Sequence, residues 1–136
     1  MKAITVAGAV IRNNEQLVLC ALRSGSMSMP GLWEFPGGKL EAGESPEETL
    51  VREIREELGC TINVGEMIED VVHDYPSVRV RLLTYWAVVV EGKPRANEHE
   101  QLLWLPAERL HELEWAPADL PTVVHIQSGC ESGRST

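Results

Sequence analysis

The segment over residues 38–60 constrains the fold more than any other part of the chain, because it sets both ends of one helix. Ser45 is a favoured N-cap residue, Pro46 suits the first helical position, and Glu48 can complete a capping box with Ser45. Gly59 supplies the stop, since glycine readily adopts the left-handed backbone conformation that ends many helices. We therefore predict a helix that begins at Pro46 and ends before Gly59.

The predicted helix has one apolar face and one acidic face. At about 100° per residue, its apolar side chains cluster on one side while its carboxylates fall on an adjoining arc. The apolar residues are Leu50, Val51, Ile54 and Leu58, and the acidic residues are Glu53, Glu56 and Glu57. These carboxylates repel one another, and a hard divalent cation such as Mg²⁺ or Mn²⁺ prefers oxygen ligands of this kind. The alternative is a solvated surface helix whose glutamates pair with Arg52 and Arg55.

This segment and the residues before it resemble the signature of the Nudix hydrolases. The positions at matching spacing are Gly38, Glu44, Arg52, Glu53, Ile54, Glu56, Glu57 and Gly59. Cys60 stands where that family usually has an aliphatic residue, but cysteine behaves as a small hydrophobic side chain. Residues 31–38 (GLWEFPGG) are similar to the MutT-like branch, which hydrolyses nucleoside triphosphates, and residues 115–121 (WAPADLP) look most like its CTP pyrophosphohydrolase members.

The resemblance implies an α/β protein, a Nudix α/β/α sandwich with a central mixed sheet. It also implies hydrolysis of a nucleoside or deoxynucleoside triphosphate to the monophosphate and pyrophosphate, with Mg²⁺ as cofactor and Mn²⁺ as a substitute. The implied metal ligands are the backbone carbonyl of Gly37 and the carboxylates of Glu53, Glu56, Glu57 and Glu98. Such a reaction needs neutralised phosphate charge and a positioned, partly deprotonated water.

Other residues of the motif have supporting roles in this comparison. Arg52 is expected to orient a neighbouring glutamate through a charge-assisted hydrogen bond rather than to touch the substrate. Glu44 is expected to support the junction of loop and helix or an outer metal shell. Gly38 and Gly59 are expected to have structural roles in the backbone of the motif.

The general base stays open among three glutamates. Glu53 of the helix is one candidate. Glu98 is favoured, because MutT-like members carry an additional metal-binding glutamate on this loop and its spacing to Trp104 matches that branch. Glu100 is the third candidate. His99 between them is interpreted as a loop histidine rather than a ligand, because hard-ion sites favour oxygen donors.

The resemblance places the nucleotide against residues outside the motif, namely Arg23, Glu34, Phe35, Tyr75, Arg79 and Asp119. Asp119 is the most discriminating, since MutT-like enzymes specific for oxidised guanine commonly have asparagine there. An ionised aspartate can only accept hydrogen bonds, so it favours an exocyclic amine such as cytosine N4 or guanine N2 and disfavours a bare carbonyl oxygen. The structural alternative for Asp119 is a helix N-cap.

The favoured substrate is therefore a cytosine-type or modified nucleoside triphosphate. The first alternative is an 8-oxo-dGTP diphosphatase that removes oxidised nucleotides. Two further alternatives are a nucleotide-sugar pyrophosphatase and a non-catalytic nucleotide sensor. The full set of motif carboxylates argues against the sensor, because a sensor does not need them.

Length, charge and cysteine count bound the other possibilities. The 136 residues suit one domain, which we place at residues 1–126, with a tail at 127–136 that we expect to be disordered. The net charge of −9 argues against long nucleic acid as a partner and leaves a small nucleotide. Three cysteines without metal-ligand spacing and the lack of a long apolar run predict a cytoplasmic protein without disulfides or membrane segments. We expect a monomer or a homodimer.

Outside the helix, the pattern of apolar residues predicts strands and a terminal helix. The expected strands are 3–11, 16–22, 61–72, 78–90 and 102–105, with a helical turn from residue 106 and a helix at 120–126. Residues 24–30 (SGSMSMP) are small, polar and rich in turn formers, so we predict a loop there.

Overall fold

Strands make up most of the regular structure in the computed structural model, which describes residues 2–134. The strands are β1 (Lys2–Ile11), β2 (Leu17–Leu22), β3 (Trp33–Glu34), β4 (Gly37–Lys39), β5 (Thr61–Asp74), β6 (Val78–Glu91) and β7 (Gln101–Pro106). The helices are α1 (Pro46–Leu58) and α2 (Leu120–Arg134), and two 3₁₀ turns lie at Ala107–Glu112 and Pro117–Asp119.

The strands divide between two sheets. The larger has the order β4-β1-β6-β5, and it is mixed because β1 runs antiparallel to β4 but parallel to β6. The smaller sheet has the order β3-β2-β7 and is antiparallel. This arrangement confirms the predicted α/β sandwich with a central mixed sheet, and it adds the division into two sheets.

The two helices cover opposite faces of the larger sheet. The side chains of α1 that are fully buried in the first core cluster are Leu50, Ile54 and Leu58. They pack with Ala9 of β1, whereas the next residue, Val10, packs with Val123 of α2 in the second cluster. Successive strand residues point to opposite faces, so one strand supplies both layers of the core.

The predicted ends of α1 are confirmed. The Ser45 hydroxyl accepts a hydrogen bond from the Glu48 backbone N–H at 3.1 Å, and the Ser45 N–H donates to Glu48 Oε1 at 2.9 Å. This is the reciprocal capping box expected from the sequence. At the other end Gly59 has φ of 69°, the left-handed conformation that ends the helix.

The strands differ from the prediction in number and in length. The short strands β3 and β4 were not predicted, since their residues carry no alternation of apolar and polar side chains. The second strand begins at Leu17, because Gln16 has φ of 65° and belongs to the preceding turn. Strand β5 extends to Asp74, where pairing with Arg79 of β6 continues the hairpin ladder.

Helix α2 extends past the domain end predicted at residue 126. It runs over Leu120–Arg134, and the Gln127 side-chain amide donates to the Ala107 backbone carbonyl at 3.2 Å. This contact holds the helical turn around Gln127 to the 3₁₀ turn at Ala107–Glu112, although the sequence from residue 127 onwards is low in apolar residues. The disordered tail predicted at 127–136 thus overlaps this helix, while residues 135 and 136 lie outside the described residues.

Two cysteines and the apolar character of the helices bear on the predictions about disulfides and membrane segments. Cys20 and Cys60 are buried and free, and burial raises the pKa of the Cys20 thiol to about 12. The side chain of Cys130 lies outside the described part of the chain. Within residues 2–134, no helix combines the length and the apolar character needed to cross a bilayer.

Candidate active site

A cavity of about 250 Å³ lies between β1 and β6 of the larger sheet and β3 of the smaller one. The predicted substrate residues that line it are Arg23, Glu34, Phe35, Tyr75 and Asp119, and the predicted motif residues are Gly37 and Gly38. Apolar residues of β1 and β6, among them Val6 and Leu82, form the wall opposite these polar groups. An apolar wall with a few converging polar groups is typical of a small-molecule site.

Gly37 and Gly38 join the cavity to the acidic side of α1. A Cβ atom on Gly37 would lie 1.9 Å from the Ala7 carbonyl oxygen, so only glycine allows β4 to pair this closely with β1. A Cβ atom on Gly38 would lie 2.3 Å from Glu53 Oε2. The backbone of β4 therefore has the cavity on one side and a carboxylate of α1 on the other.

Arg52 connects two glutamates of the motif. Its Nε donates to Glu44 Oε2 at 2.7 Å, its Nη2 donates to Glu44 Oε1 at 2.9 Å, and its Nη1 donates to Glu53 Oε1. These bonds from Arg52 lower the pKa of the Glu44 carboxyl to about 2, with further bonds from the Glu41 backbone and the Thr49 hydroxyl. Arg52 does not line the cavity, and it holds Glu53 in one orientation.

Glu57 of α1 has a carboxyl group that burial and neighbouring carboxylates make harder to ionise. Burial raises its pKa to about 9, and a hydrogen bond to Glu53 and the charges of Glu34, Glu53 and Glu98 act in the same direction. Its Oε1 is buried without a hydrogen-bond partner. A bound cation would satisfy this oxygen and would offset the repulsion among the surrounding carboxylates.

The carboxylates do not already form a closed metal cage. Among the side chains that the structure describes, at residues 2–129, no three acidic, histidine or cysteine groups converge on one metal position. Glu56 is 57% exposed and lies 3.7 Å from Arg52, while Glu53 is bonded to the same arginine. The donor set of carboxylate oxygens and the unpaired Glu57 Oε1 nevertheless fit a hard divalent ion, which accepts water for its remaining ligands.

Asp119 is buried at the inner end of the cavity. It is 6% exposed, and its Oδ1 accepts a hydrogen bond from the Phe35 N–H at 3.3 Å. Burial raises the pKa of Asp119 well above its usual value, and the charge of Glu34 adds to that effect. Burial therefore acts against the ionised form of Asp119 that the sequence analysis assumed. Within the described residues its side chain makes no hydrogen bond to α2, so the N-cap alternative is wrong.

The aromatic residues of the cavity are held by the core. Phe35 is 3% exposed, and its ring centroid lies 4.6 Å from that of Trp115. The Tyr75 hydroxyl accepts a hydrogen bond from the Ala118 N–H at 3.1 Å. Phe35 thus has both a core contact and a place in the cavity lining, as the sequence allowed.

Arg79 is not part of this cavity, which corrects its assignment to the substrate-binding group. Its side chain is 57% exposed and forms two hydrogen bonds with Asp74, the shorter at 2.6 Å. The next residue on the strand, Val80, lines the cavity, so Arg79 points to the opposite face of the sheet.

His99 is buried against Glu34 of the cavity, a contact that the sequence interpretation did not predict. Its side chain is fully buried, and its Nε2 lies 2.8 Å from Glu34 Oε2. The other oxygen of Glu34 accepts from Arg23. The only sequence signal was its position between Glu98 and Glu100, and both of those glutamates are exposed.

Comparison with known proteins gives a consistent result. The chain matches the NUDIX domain family over residues 1–125. The putative 8-oxo-dGTP diphosphatase 2 of Mycobacterium tuberculosis is 38% identical over 122 residues, which cover 88% of this chain and 84% of that protein. The CTP pyrophosphohydrolase of Escherichia coli is 37% identical over 121 residues, which cover 89% of each protein.

A solved structure agrees with these sequence matches. The NMR structure of the DNA mismatch repair protein MutT from methicillin-resistant Staphylococcus aureus, described as a Nudix hydrolase, superimposes with a TM-score of 0.77. It is 43% identical in sequence, and the match covers 95% of this chain and 99% of that chain. Both the sequence and the fold of this chain therefore match that family along nearly their whole length.

Proposed function

The chain belongs to the Nudix hydrolase family, and from that premise we propose that it hydrolyses nucleoside triphosphates to the monophosphate and pyrophosphate. The observation that carries this proposal is the junction at β4. There the cavity, which suits a nucleoside, meets the carboxylates of α1, which suit the metal-bound phosphates. We place the reaction in the cytoplasm. Cysteines stay reduced there, which suits the free thiol of Cys20, and nucleotide pools are present there.

We assign the metal site to the Gly37 carbonyl and to the carboxylates of Glu53, Glu56, Glu57 and Glu98, with Mg²⁺ as the ion. The unpaired, buried Oε1 of Glu57 supports this assignment. When bound, divalent ions neutralise phosphate charge and lower the pKa of a coordinated water. Arg52 keeps Glu53 in a fixed orientation for this purpose and lies outside the lining of the nucleotide cavity.

Glu98 is our choice for the general base. Glu53 is hydrogen-bonded to Arg52 and Glu57, whereas the exposed side chain of Glu98 makes no hydrogen bond within the described residues. Its charge acts on Glu57, so it faces the acidic side of α1. Glu53 and Glu100 are the alternatives, and glutamine at each of the three positions distinguishes them by the loss of kcat.

We assign reading of the base to Asp119 in its neutral form. A neutral carboxylic acid accepts through its carbonyl oxygen and donates through its hydroxyl. It can therefore accept from the N4 amine of cytosine and donate to the adjacent N3. Burial of Asp119 supports the neutral form, and the cytosine preference now rests on this paired contact rather than on an anionic acceptor.

An 8-oxo-dGTP diphosphatase is the second candidate, for a specific reason. The neutral Asp119 that pairs with cytosine can also donate to a guanine O6 carbonyl and accept from N1–H. The relative from M. tuberculosis bears that name. The two candidates share the same phosphate chemistry and differ only in the base that the cavity accepts.

The deciding experiment is a set of initial rates with Mg²⁺ across CTP, dCTP, 5-methyl-dCTP, dGTP and 8-oxo-dGTP. Values of kcat/KM are compared, since tenfold selectivity corresponds to only about 1.4 kcal/mol of transition-state binding. A leading cytosine nucleotide supports the first candidate, and a leading 8-oxo-dGTP supports the second. Hydrolysis that does not exceed the background of Glu57→Gln would contradict the reaction class.

Asp119→Ala tests the assignment of the base reader. It is expected to change the order of preference among these nucleotides while the metal dependence of the rate stays the same. An unchanged order would show that the base is read elsewhere.

A further inference from the structure

We propose that His99 is a positioning residue, which holds two loops of the active site in register through its hydrogen bond to Glu34. One loop borders the nucleotide cavity, and the other brings Glu98 towards α1. This inference rests on the proposed function, because the register matters only if nucleoside and phosphates are bound across the two loops.

The hydrogen bond between His99 and Glu34 is the centre of the arrangement. The distance from Nε2 to Oε2 is 2.8 Å, and the histidine side chain has no exposed surface. A carboxylate can only accept, so Nε2–H is the donor and Nδ1 is the other ring nitrogen. The two residues lie 65 positions apart in sequence, so the bond ties together segments that are not neighbours in the chain.

Glu34 passes this constraint to the border of the cavity. Its second oxygen accepts from Arg23 Nη1, and Arg23 also donates to the Ser28 carbonyl and, at 2.9 Å, to the Ser28 hydroxyl. Ser28 and Met29 line the cavity. The position of this loop, predicted from its composition at residues 24–30, therefore depends on a chain of hydrogen bonds that begins at His99.

On its other side, His99 fixes the segment that carries Glu98. The next residue, Glu100, donates its backbone N–H to the Leu22 carbonyl at 3.0 Å, so the segment is held there by the end of β2. Glu98 itself is exposed, yet its charge acts on Glu57. The buried imidazole is thus the side chain that sets how this exposed carboxylate approaches α1.

The buried imidazole of His99 is only partly satisfied. Its Nε2 has Glu34 as a partner, but its Nδ1 is buried and has no hydrogen-bond partner. An unsatisfied buried nitrogen lowers the stability of the folded state, so it offsets part of what the hydrogen bond to Glu34 contributes. Local rules of this kind are most often broken at functional sites.

Three substitutions test the proposal. His99→Gln can place an amide N–H near the position of Nε2, His99→Asn reaches only towards Nδ1, and His99→Leu removes both nitrogens. Loss of a residue that orients a catalytic group typically lowers activity about 10–100-fold. We expect this loss of kcat/KM in the Leu and Asn variants, with a raised KM as well as a lowered kcat, and recovery of most of it in the Gln variant.

Two measurements separate positioning from a merely structural role. The melting temperatures of the three variants are measured first, because His99→Leu removes the unpaired Nδ1 but also leaves Glu34 Oε2 without its donor. A loss of kcat/KM at a temperature where every variant is folded is then not caused by unfolding. The affinity for CMP, measured in EDTA, is expected to weaken in the Leu and Asn variants and to return in Gln, since the cavity loop loosens without the bond to Glu34.

Equal kcat/KM in all four proteins, or a Gln variant no better than Leu, would overturn the proposal. If His99→Leu does not fold, the Gln and Asn pair decides by the same comparison. A wild-type protein that hydrolyses no nucleoside triphosphate contradicts the proposed function. In that case the CMP affinities in EDTA still decide on His99, and equal affinities overturn its role.

Discussion

Glu57 combines a buried carboxyl oxygen with a pKa raised to about 9 by burial and by neighbouring carboxylates. Without metal, the folded state binds this proton more tightly than the unfolded state does. Stability is therefore expected to fall as pH rises from about 4.5 to about 9, and a bound divalent cation is expected to restore it.

Glu57→Gln is predicted to remove this pH dependence. In EDTA at pH 8 we expect the variant to be more stable than the wild type by at least about 1.4 kcal/mol, the equivalent of one pKa unit. Thermal melts at pH 5 and pH 8, with and without Mg²⁺, measure the effect. The matched control is Glu56→Gln, because Glu56 is 57% exposed. A stability gain of equal size at both pH values would contradict the explanation.

The role of a residue could be predicted from the sequence when its contact partners lie close to it in the chain. The roles of Arg52 and Glu44 follow from a local motif, and the structure places them in contact. The burial of His99 and Asp119 was not predictable, because their partners Glu34 and Phe35 lie 65 and 84 positions away. Without that burial, the raised pKa of Asp119 could not be inferred either.

Strand β4 contains two consecutive glycines, Gly37 and Gly38, and a side chain at each would meet a different neighbour. A Cβ on Gly37 would meet the Ala7 backbone oxygen, which cannot move without breaking the pairing with β1. A Cβ on Gly38 would meet the Glu53 side chain from Cγ to Oε2, and a change of that side chain's rotamer relieves the clash without moving backbone but breaks its contact with Arg52. The first contact therefore concerns stability, and the second concerns the position of a metal-binding candidate.

We predict that Gly37→Ala lowers the free energy of unfolding by about 2–4 kcal/mol. Gly38→Ala is predicted to change it by less than about 1 kcal/mol but to lower kcat about 100-fold through displacement of Glu53. Urea unfolding and steady-state kinetics test the pair. Gly25→Ala is the control, because nothing lies within 4 Å of its Cβ position. Equal losses of stability at positions 37 and 38 would refute this distinction.

Helices and strands were predictable where the sequence features that define them lie within or next to the element. Helix α1 was predicted at both ends, because its capping box and its stop lie within the helix and its flanking residues. Strands β3 and β4, of 2 and 3 residues, were not predictable, because they exist only through pairing with β2 and β1. The extension of α2 past residue 126 was not predicted, because residues from 127 onwards are low in apolar side chains and Gln127 contacts Ala107, 20 positions away in the chain.

A buried polar contact joins β6 of the larger sheet to α2. Thr84 of β6 and Thr122 of α2 have no exposed surface, and their hydroxyl oxygens lie 2.8 Å apart. Replacing either hydroxyl by a methyl group leaves the other buried without its partner, which costs about 1–3 kcal/mol. We predict this loss of unfolding free energy for Thr84→Val and for Thr122→Val.

The double variant is the informative comparison. Removing both hydroxyls leaves no unsatisfied group, so the double variant is expected to lose less than the sum of the single losses. Urea unfolding of the four proteins gives the coupling. Strictly additive losses would mean that the two hydroxyls do not stabilise the docking of α2 on the sheet.

The overall architecture was predicted through resemblance to a family rather than through the strand pattern. A short apolar run indicated where β1 lies and alternation of apolar and basic residues indicated β6, but no local feature indicated that the two strands pair in parallel. Pairing partners in a sheet are chosen by packing of the whole chain, which the sequence of one strand does not encode.

The parallel pairing of β1 with β6 also affects how the chain acquires its structure during synthesis. Lys2 pairs with Val78, so the apolar β1 has no partner on that side until β6 has left the ribosome. At about 5–20 residues per second, this interval lasts on the order of 4–15 s. Over that time a nascent strand rich in alanine, valine and isoleucine is open to chaperones and to other nascent chains, and the central sheet closes only late in translation.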